Sequence, residues 1–89
     1  MYTVRLSRRA QKDLLAVPKK DARRIRDALN DLAAEEDPAR FVKKLKGHEQ
    51  VPLCSCRIGM YRAILTIDNG VLVVFVITID NRSSVYRHV

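Results

Sequence analysis

Residues 61–79 read YRAILTIDNGVLVVFVITI, and this stretch decides the fold of the 89-residue chain. Its two halves, Tyr61 to Ile67 and Val71 to Ile79, are rich in β-branched and aromatic residues, which favour strands. Between them lies Asn69-Gly70, and both residues tolerate the positive φ that a type I′ turn requires. The stretch therefore predicts an antiparallel hairpin.

A third strand is predicted just before this hairpin, from Leu53 to Ile58, with Gly59 marking the turn. Successive side chains of a strand point to opposite faces of a sheet. Cys54, Cys56 and Ile58 are therefore expected to face the core, whereas Leu53, Ser55 and Arg57 face the other side. Together the three strands form a predicted antiparallel meander.

The first half of the chain has helical spacing after an initial strand, Tyr2 to Leu6. Ser7 is a typical N-cap, Pro18 separates two helices, and the second helix is expected to end before Asp37-Pro38. The stretch from Pro38 to Lys46 is a basic connector in which a helical turn fits. The apolar stripes consist of Ala10, Leu14 and Val17 in the first helix, and Ala22, Ile25, Leu29, Leu32 and Ala33 in the second.

These elements predict an α+β fold, with one small domain over residues 1–89. The order is an N-terminal strand, a two-helix hairpin and an antiparallel three-stranded meander. An amphipathic helical pair must bury its apolar stripe, and one face of a curled sheet is the surface available for it. The opposite face of the sheet is left for function.

The net charge of +7 favours a polyanionic partner such as nucleic acid, although an acidic protein would serve equally well. With 47% hydrophobic and 30% charged residues, the chain can fill one modest core, which argues against global disorder. Because it has neither a run of about 18 apolar residues nor a secretory h-region, we expect a cytoplasmic protein with no membrane partner.

The cysteines and histidines give little support for a metal site. Cys54 and Cys56 are the only two cysteines, and at this spacing in a strand a disulfide would be strained, so we interpret them as small core residues. A zinc site would need His48 and His88, which lack structural-zinc spacing. Phosphate-binding glycine loops and a nucleophile elbow are also absent from the sequence, and no cofactor is predicted.

Basic and aromatic residues near the strand ends suggest phosphodiester chemistry. Arg57 and Arg62 flank the Gly59 turn and should lie close together. Attack of an RNA 2′-hydroxyl on its phosphate accumulates negative charge, which fixed guanidinium groups stabilise. A solvated surface, with Tyr86 as a packing residue, is the simpler alternative. The tail residues that could join this patch are Arg82, Tyr86, Arg87 and His88.

The ordered motifs resemble those of the RelE/ParE toxin superfamily across nearly the whole chain. The motifs are Lys44-Leu45-Lys46-Gly47, then Cys56-Arg57-Ile58-Gly59-Met60-Tyr61-Arg62, then Val74-Phe75-Val76-Ile77, and finally Asn81-Arg82 leading to Val85-Tyr86. A RelE-like member is expected to enter the ribosomal A site and cleave mRNA without a metal ion. Its partners are expected to be the ribosome, mRNA and a cognate antitoxin, acidic and with a helical or extended segment.

The resemblance also implies site residues. By position, Arg57 resembles a basic active-site residue, Arg62 the arginine that contacts the scissile phosphate, and Arg82 a transition-state stabiliser. Tyr86 matches a tyrosine implicated in base stacking or proton transfer. The expected RNA-binding residues are Lys43, Lys44, Lys46, Ser55, Arg87 and His88.

One departure from the family pattern keeps other functions open. Ser55 stands where RelE-like nucleases often carry a further Lys or Arg, and serine cannot supply that charge. A ParE-like inhibitor of DNA gyrase without nuclease activity is therefore the main alternative. A non-catalytic RNA-binding module would explain the charge but not the ordered motifs.

Overall fold

The computed structural model of the chain describes residues 1–45 and 52–81. Two α-helices, a 3-10 helix and five strands make up these ranges. They are β1 (Thr3–Leu6), α1 (Arg8–Ala16), α2 (Lys19–Ala33), the 3-10 helix (Pro38–Phe41), β2 (Lys43–Lys44), β3 (Cys54–Ile58), β4 (Tyr61–Asp68) and β5 (Val73–Asn81). Neither α-helix combines the length and apolar character that a bilayer-spanning segment needs.

The strands form one sheet in the order β1-β5-β4-β3-β2. The predicted meander β3-β4-β5 is antiparallel throughout, and β1 lies parallel to β5 at the opposite edge from β2. The predicted α+β architecture is confirmed. The sheet has two more strands than the meander because the N-terminal strand and the short β2 extend it on either side.

The core lies between the helices and one face of the sheet. The predicted stripes supply Ala10 and Leu14 of α1, and Ile25, Leu29, Leu32 and Ala33 of α2, all of them buried. The sheet contributes Cys54, Ile58, Tyr61, Ala63, Leu65, Val74, Val76 and Ile79. The faces predicted for β3 are confirmed, because Cys54 and Ile58 are buried and Cys56 packs against the core, and in each strand the residues between the core positions lie on the other face.

Predicted boundaries of the helices are also confirmed. Ser7 is the N-cap of α1, and its Oγ accepts a hydrogen bond from the backbone N–H of Ala10 at 3.0 Å. Pro18 stands at the N-cap position of α2. Pro38 begins the 3-10 helix, which is the helical turn expected in the basic connector.

The type I′ turn predicted at Asn69-Gly70 is wrong, although the hairpin itself is confirmed. Asp68 pairs with Val73, so the connection has four residues, and among these Leu72 has positive φ, at 55°. The Asp68 carboxylate accepts hydrogen bonds from the N–H groups of Gly70 and Val71 at 2.9 and 3.2 Å. This side chain competes with the two-residue turn for the local backbone donors.

Contacts from the N-terminus stabilise the longer turn. The hydroxyl of Tyr2 donates to the side-chain oxygen of Asn69 at 2.6 Å, and the N–H of Thr3 donates to the carbonyl of Leu72 at 2.8 Å. Positive φ is unfavourable for leucine, so tertiary contacts must offset its cost. At the other predicted turn, Gly59 does adopt positive φ, at 58°.

The part of β5 beyond its pairing with β1 is tied to α1 by Asp13. The β1 pairing ends at Val76, and a bulge follows between the residues opposite Ile64 and Leu65. Asp13 Oδ2 accepts hydrogen bonds from the Ile79 N–H and the Thr78 hydroxyl, both at 2.9 Å. The carboxylate therefore replaces a strand partner and fixes this end of β5 to the helical layer.

A second polar link joins α2 to the start of β4. The Tyr61 hydroxyl donates to Asp21 Oδ2 at 2.7 Å, and Tyr61 is only 8% exposed. The hydrogen bond to Asp21 raises the pKa of Tyr61 above its ordinary value, and burial and the negative charge of Asp21 act in the same direction. The nearby positive charge of Arg24 opposes them.

This link predicts a stability loss at alkaline pH. Because the pKa of Tyr61 is higher in the folded state, its contribution is complete below about pH 10, the ordinary tyrosine pKa, and is lost as the pH rises through the folded-state pKa. We expect the free energy of unfolding, measured by urea titration from pH 8 to 11, to fall less steeply in Tyr61→Phe than in the parent. Asp21→Asn should also reduce the slope. An unchanged slope in Tyr61→Phe would contradict this assignment.

Candidate functional site

A cleft of about 610 Å³ opens beside β3 and β4. Two segments form its walls: the end of the 3-10 helix with the start of β2, and the neighbouring positions of β3 and β4. We call it the basic cleft, and its lining residues are Arg40, Phe41, Val42, Lys43, Ser55, Arg57 and Arg62. Ser55 and Arg57 alternate with the core residues Cys54 and Ile58, which places them on the face turned away from the helices.

Arg57 and Arg62 are directly opposite each other in the β3–β4 ladder. The sequence prediction that these arginines lie close together is confirmed. Side chains at such paired positions have Cβ atoms about 4.5–5.5 Å apart, and like charges there destabilise a sheet. Neither arginine forms an ion pair with another described residue. The pair is therefore a concentrated positive charge suited to an anion.

The guanidinium of Arg62 carries a buried donor without a partner. Its Nε is inaccessible to solvent and makes no hydrogen bond to any residue in the described ranges. Asp80 lies opposite Arg62 on β5, yet the two side chains do not form an ion pair. Leaving a buried donor unpaired costs about 1–3 kcal/mol, so the position of Arg62 in the sheet carries an energetic cost.

The register of β2 adds a lysine beside Ser55. Lys43 is paired with Ser55, and both line the basic cleft. The positive charge that serine does not supply is therefore present on the adjacent strand. Lys44 pairs with Cys54 and is exposed, but it does not line the cleft.

Five of the predicted site residues lie outside the described residues: Lys46, Arg82, Tyr86, Arg87 and His88. Their proposed roles stay predictions. Among the described residues, the structure brings together Lys43, Ser55, Arg57 and Arg62.

Three residues that line the cleft were not among the predicted site residues, namely Arg40, Phe41 and Val42. They follow the buried Pro38 in the basic connector. The available signal was an arginine and an aromatic residue separated by one valine from a pair of lysines. It was missed because nothing local shows that this connector folds back along β3.

Cys54 and Cys56 are both free thiols, and both pack in or against the core. Burial raises the pKa of each thiol, while the positive charge of Lys44 partly offsets this effect at Cys54. A raised pKa disfavours the reactive thiolate at neutral pH. Within residues 1–45 and 52–81, no group of three or more His, Cys, Asp or Glu is arranged to hold a metal ion.

Comparison with known proteins identifies the family. The sequence model of the family described as "ParE toxin of type II toxin-antitoxin system, parDE" matches residues 4–86. The chain is 34% identical over 87 residues to Toxin RelG of Mycobacterium tuberculosis, with 97% of each sequence covered.

Solved structures agree with this match. A chain of the toxin–antitoxin complex RelBE2 of Mycobacterium tuberculosis has a TM-score of 0.77 and 32% identity, with 91% of this chain and 98% of that chain covered. In the archaeal RelE-RelB complex of Pyrococcus horikoshii the values are 0.74 and 29%, with 91% and 94% covered. The chain therefore belongs to the RelE/ParE superfamily of toxins from type II toxin–antitoxin systems, and it is RelE-like.

Proposed function

We propose that this toxin is a metal-independent endoribonuclease of the cytoplasm that cleaves mRNA in the ribosomal A site and thereby inhibits translation. The observation that carries the proposal is the Arg57–Arg62 pair in the basic cleft, in which neither arginine has an ion-pair partner among the described residues. Similarity to RelE-like toxins supports the same activity.

In the proposed reaction the 2′-hydroxyl oxygen attacks the adjacent phosphorus, and the bond from phosphorus to the 5′-oxygen of the next nucleotide breaks. The 2′-hydroxyl loses its proton, the 5′-oxygen gains one, and the products are a 2′,3′-cyclic phosphate and a 5′-hydroxyl. Negative charge on the phosphoryl oxygens rises in the transition state. Donors already fixed in the cleft stabilise this charge without reorganisation, which is why Arg62 and Arg57 would accelerate the step.

We propose that residues after Asn81 supply the remaining groups of the catalytic site. Following the family pattern, Arg82 would be a further transition-state stabiliser and Tyr86 would stack a base or transfer a proton. Lys43, Lys44, Lys46, Arg87 and His88 would contact RNA phosphates on either side, and Ser55 would donate a neutral hydrogen bond. Lys43, which pairs with Ser55, would supply the positive charge that the neutral serine does not.

A cognate antitoxin is the proposed protein partner. The similar solved chains are described as parts of toxin–antitoxin complexes. With a net charge of +7, this chain would attract an acidic helical or extended segment, and such a segment over the basic cleft would compete with RNA.

The decisive experiment incubates the purified toxin with mRNA programmed on ribosomes and, separately, with the same mRNA alone. Primer extension should reveal cuts in the ribosome complexes and little cutting of free RNA. The fragment upstream of each cut should end in a 2′,3′-cyclic phosphate, and the downstream fragment should begin with a 5′-hydroxyl. Absence of cleavage on ribosomes would reject the proposal.

A ParE-like activity is the second candidate, because neutral Ser55 stands in the basic cleft where RelE-like nucleases often have a basic residue. It predicts inhibition of DNA gyrase in a supercoiling assay without cleavage of ribosome-bound mRNA. Binding to RNA with neither activity would instead identify a non-catalytic RNA-binding module.

A further inference from the structure

Phe41 is an exposed aromatic side chain in a cleft otherwise rich in cations. It is 59% exposed and lines the basic cleft together with Arg57 and Arg62. A phenylalanine stabilises a fold most when its ring is fully buried, and a side chain this exposed gives up much of that stabilisation. Phe41 therefore contributes less to the core than its size allows, and it is available to a ligand.

The backbone on both sides of Phe41 is held in place. Pro38 is fully buried at the start of the same 3-10 helix, and Lys43 is hydrogen-bonded into the sheet opposite Ser55. The ring thus sits on a short bridge between two anchored points. Because the backbone at Phe41 is already anchored, binding of a flat partner by the ring costs little backbone entropy.

Other exposed apolar side chains do not share this setting. Leu15, Met60 and Val71 are exposed, but they are not aromatic and do not line the basic cleft. Phe75 is aromatic and 38% exposed, yet it lies on β5, outside the cleft lining. Of the described residues, Phe41 is the only aromatic residue that lines the basic cleft, since Tyr61 next to Arg62 is buried on the core face.

We propose that Phe41 is the stacking platform for a nucleobase next to the scissile phosphate. A nucleotide has a flat π surface beside an anionic phosphate, which matches an aromatic ring beside two guanidinium groups. Every base can stack, but purines present the larger ring area, so Phe41 confers a modest purine preference at this position. This role rests on the proposed nuclease function and adds a specificity determinant to it.

Base fluorescence tests the stacking directly. The probe is a short single-stranded RNA with 2-aminopurine beside a 2′-deoxy linkage that cannot be cleaved by 2′-hydroxyl attack. The full-length toxin and Phe41→Trp should quench the 2-aminopurine, and Phe41→Leu should lose the quenching and bind roughly 5- to 150-fold more weakly. The matched control Phe75→Leu removes the same ring elsewhere and should behave like the parent.

Cleavage on ribosomes separates this inference from the function on which it rests. Phe41→Leu should cut more slowly at limiting toxin concentration and lose the purine preference, with an unchanged urea midpoint. If the parent cleaves and Phe41→Leu retains both its rate and its preference, the stacking role is wrong and the nuclease stands. If the parent never cleaves but quenching still depends on Phe41, the nuclease function and the cleavage-specificity role are both wrong, and Phe41 stacks a base in an RNA-binding surface without cleavage.

Two further results would overturn the platform. One is equal loss of quenching in Phe41→Leu and Phe75→Leu, which would indicate a nonspecific effect of losing a ring. The other is normal quenching by Phe41→Leu together with weaker capture of the antitoxin, which would assign Phe41 to a protein contact.

Discussion

Replacing Arg62 with alanine is expected to lower the rate of ribosome-dependent mRNA cleavage by roughly 100- to 1,000-fold, the usual effect of removing one preorganised transition-state donor. The reason is geometric as well as electrostatic. Arg62 stands opposite Arg57 in the sheet, and both line the basic cleft without an ion-pair partner among the described residues, so a phosphoryl oxygen bound there would meet two fixed guanidinium groups. Single-turnover primer extension measures the rate.

Two variants test the cause of this loss. Arg62→Lys keeps the charge but not the planar, forked donors, so it should recover only part of the rate. Arg5→Ala removes an exposed arginine from β1, at the edge of the sheet opposite β2, and should leave cleavage near the parent rate. If Arg62→Ala and Arg5→Ala slow cleavage equally, then net charge, and not the basic cleft, accounts for the effect.

The largest stability effect is expected for Leu29→Ala. Leu29 is 1% exposed and belongs to the apolar stripe of α2 that packs in the core. Truncation of a buried leucine removes transfer energy and leaves a cavity, so the free energy of unfolding should fall by about 2–5 kcal/mol. Since small domains have only about 5–15 kcal/mol in total, the urea midpoint should drop sharply.

Leu15→Ala provides the matched control. This leucine lies on α1 and is 83% exposed, so the same truncation should change the free energy of unfolding by no more than about 0.5 kcal/mol. Similar losses in the two variants would mean that the helices do not pack on the sheet through the assigned faces. Circular dichroism in urea is sufficient for both measurements.

The candidate site combines a part that local sequence predicts with a part that it does not. Arg57 and Arg62 were expected to meet because they are separated by a short turn at Gly59, and that turn requires only local geometry. Lys43 and Phe41 reach the same cleft from the other side of a long connection. They line the cleft because the two residues of β2 pair in register with β3. The sequence of the basic connector has no periodicity that predicts this pairing.

The hairpin illustrates the same division. The antiparallel pairing of β4 and β5 followed from two β-rich runs with a turn signal between them. The turn type did not, because Tyr2 and Thr3, nearly 70 residues away along the chain, bind its backbone and side chains. A choice between turn conformations of similar energy is easily reversed by such contacts.

Side-chain periodicity and short turns were sufficient to predict the helical stripes, the two faces of β3 and the proximity of Arg57 and Arg62. Tertiary structure decided the parallel pairing of β1 with β5, the conformation of residues 69–72 and the second wall of the basic cleft. Pairing between distant segments depends on the burial and hydrogen bonding of the whole sheet. A short stretch of sequence therefore does not predict it.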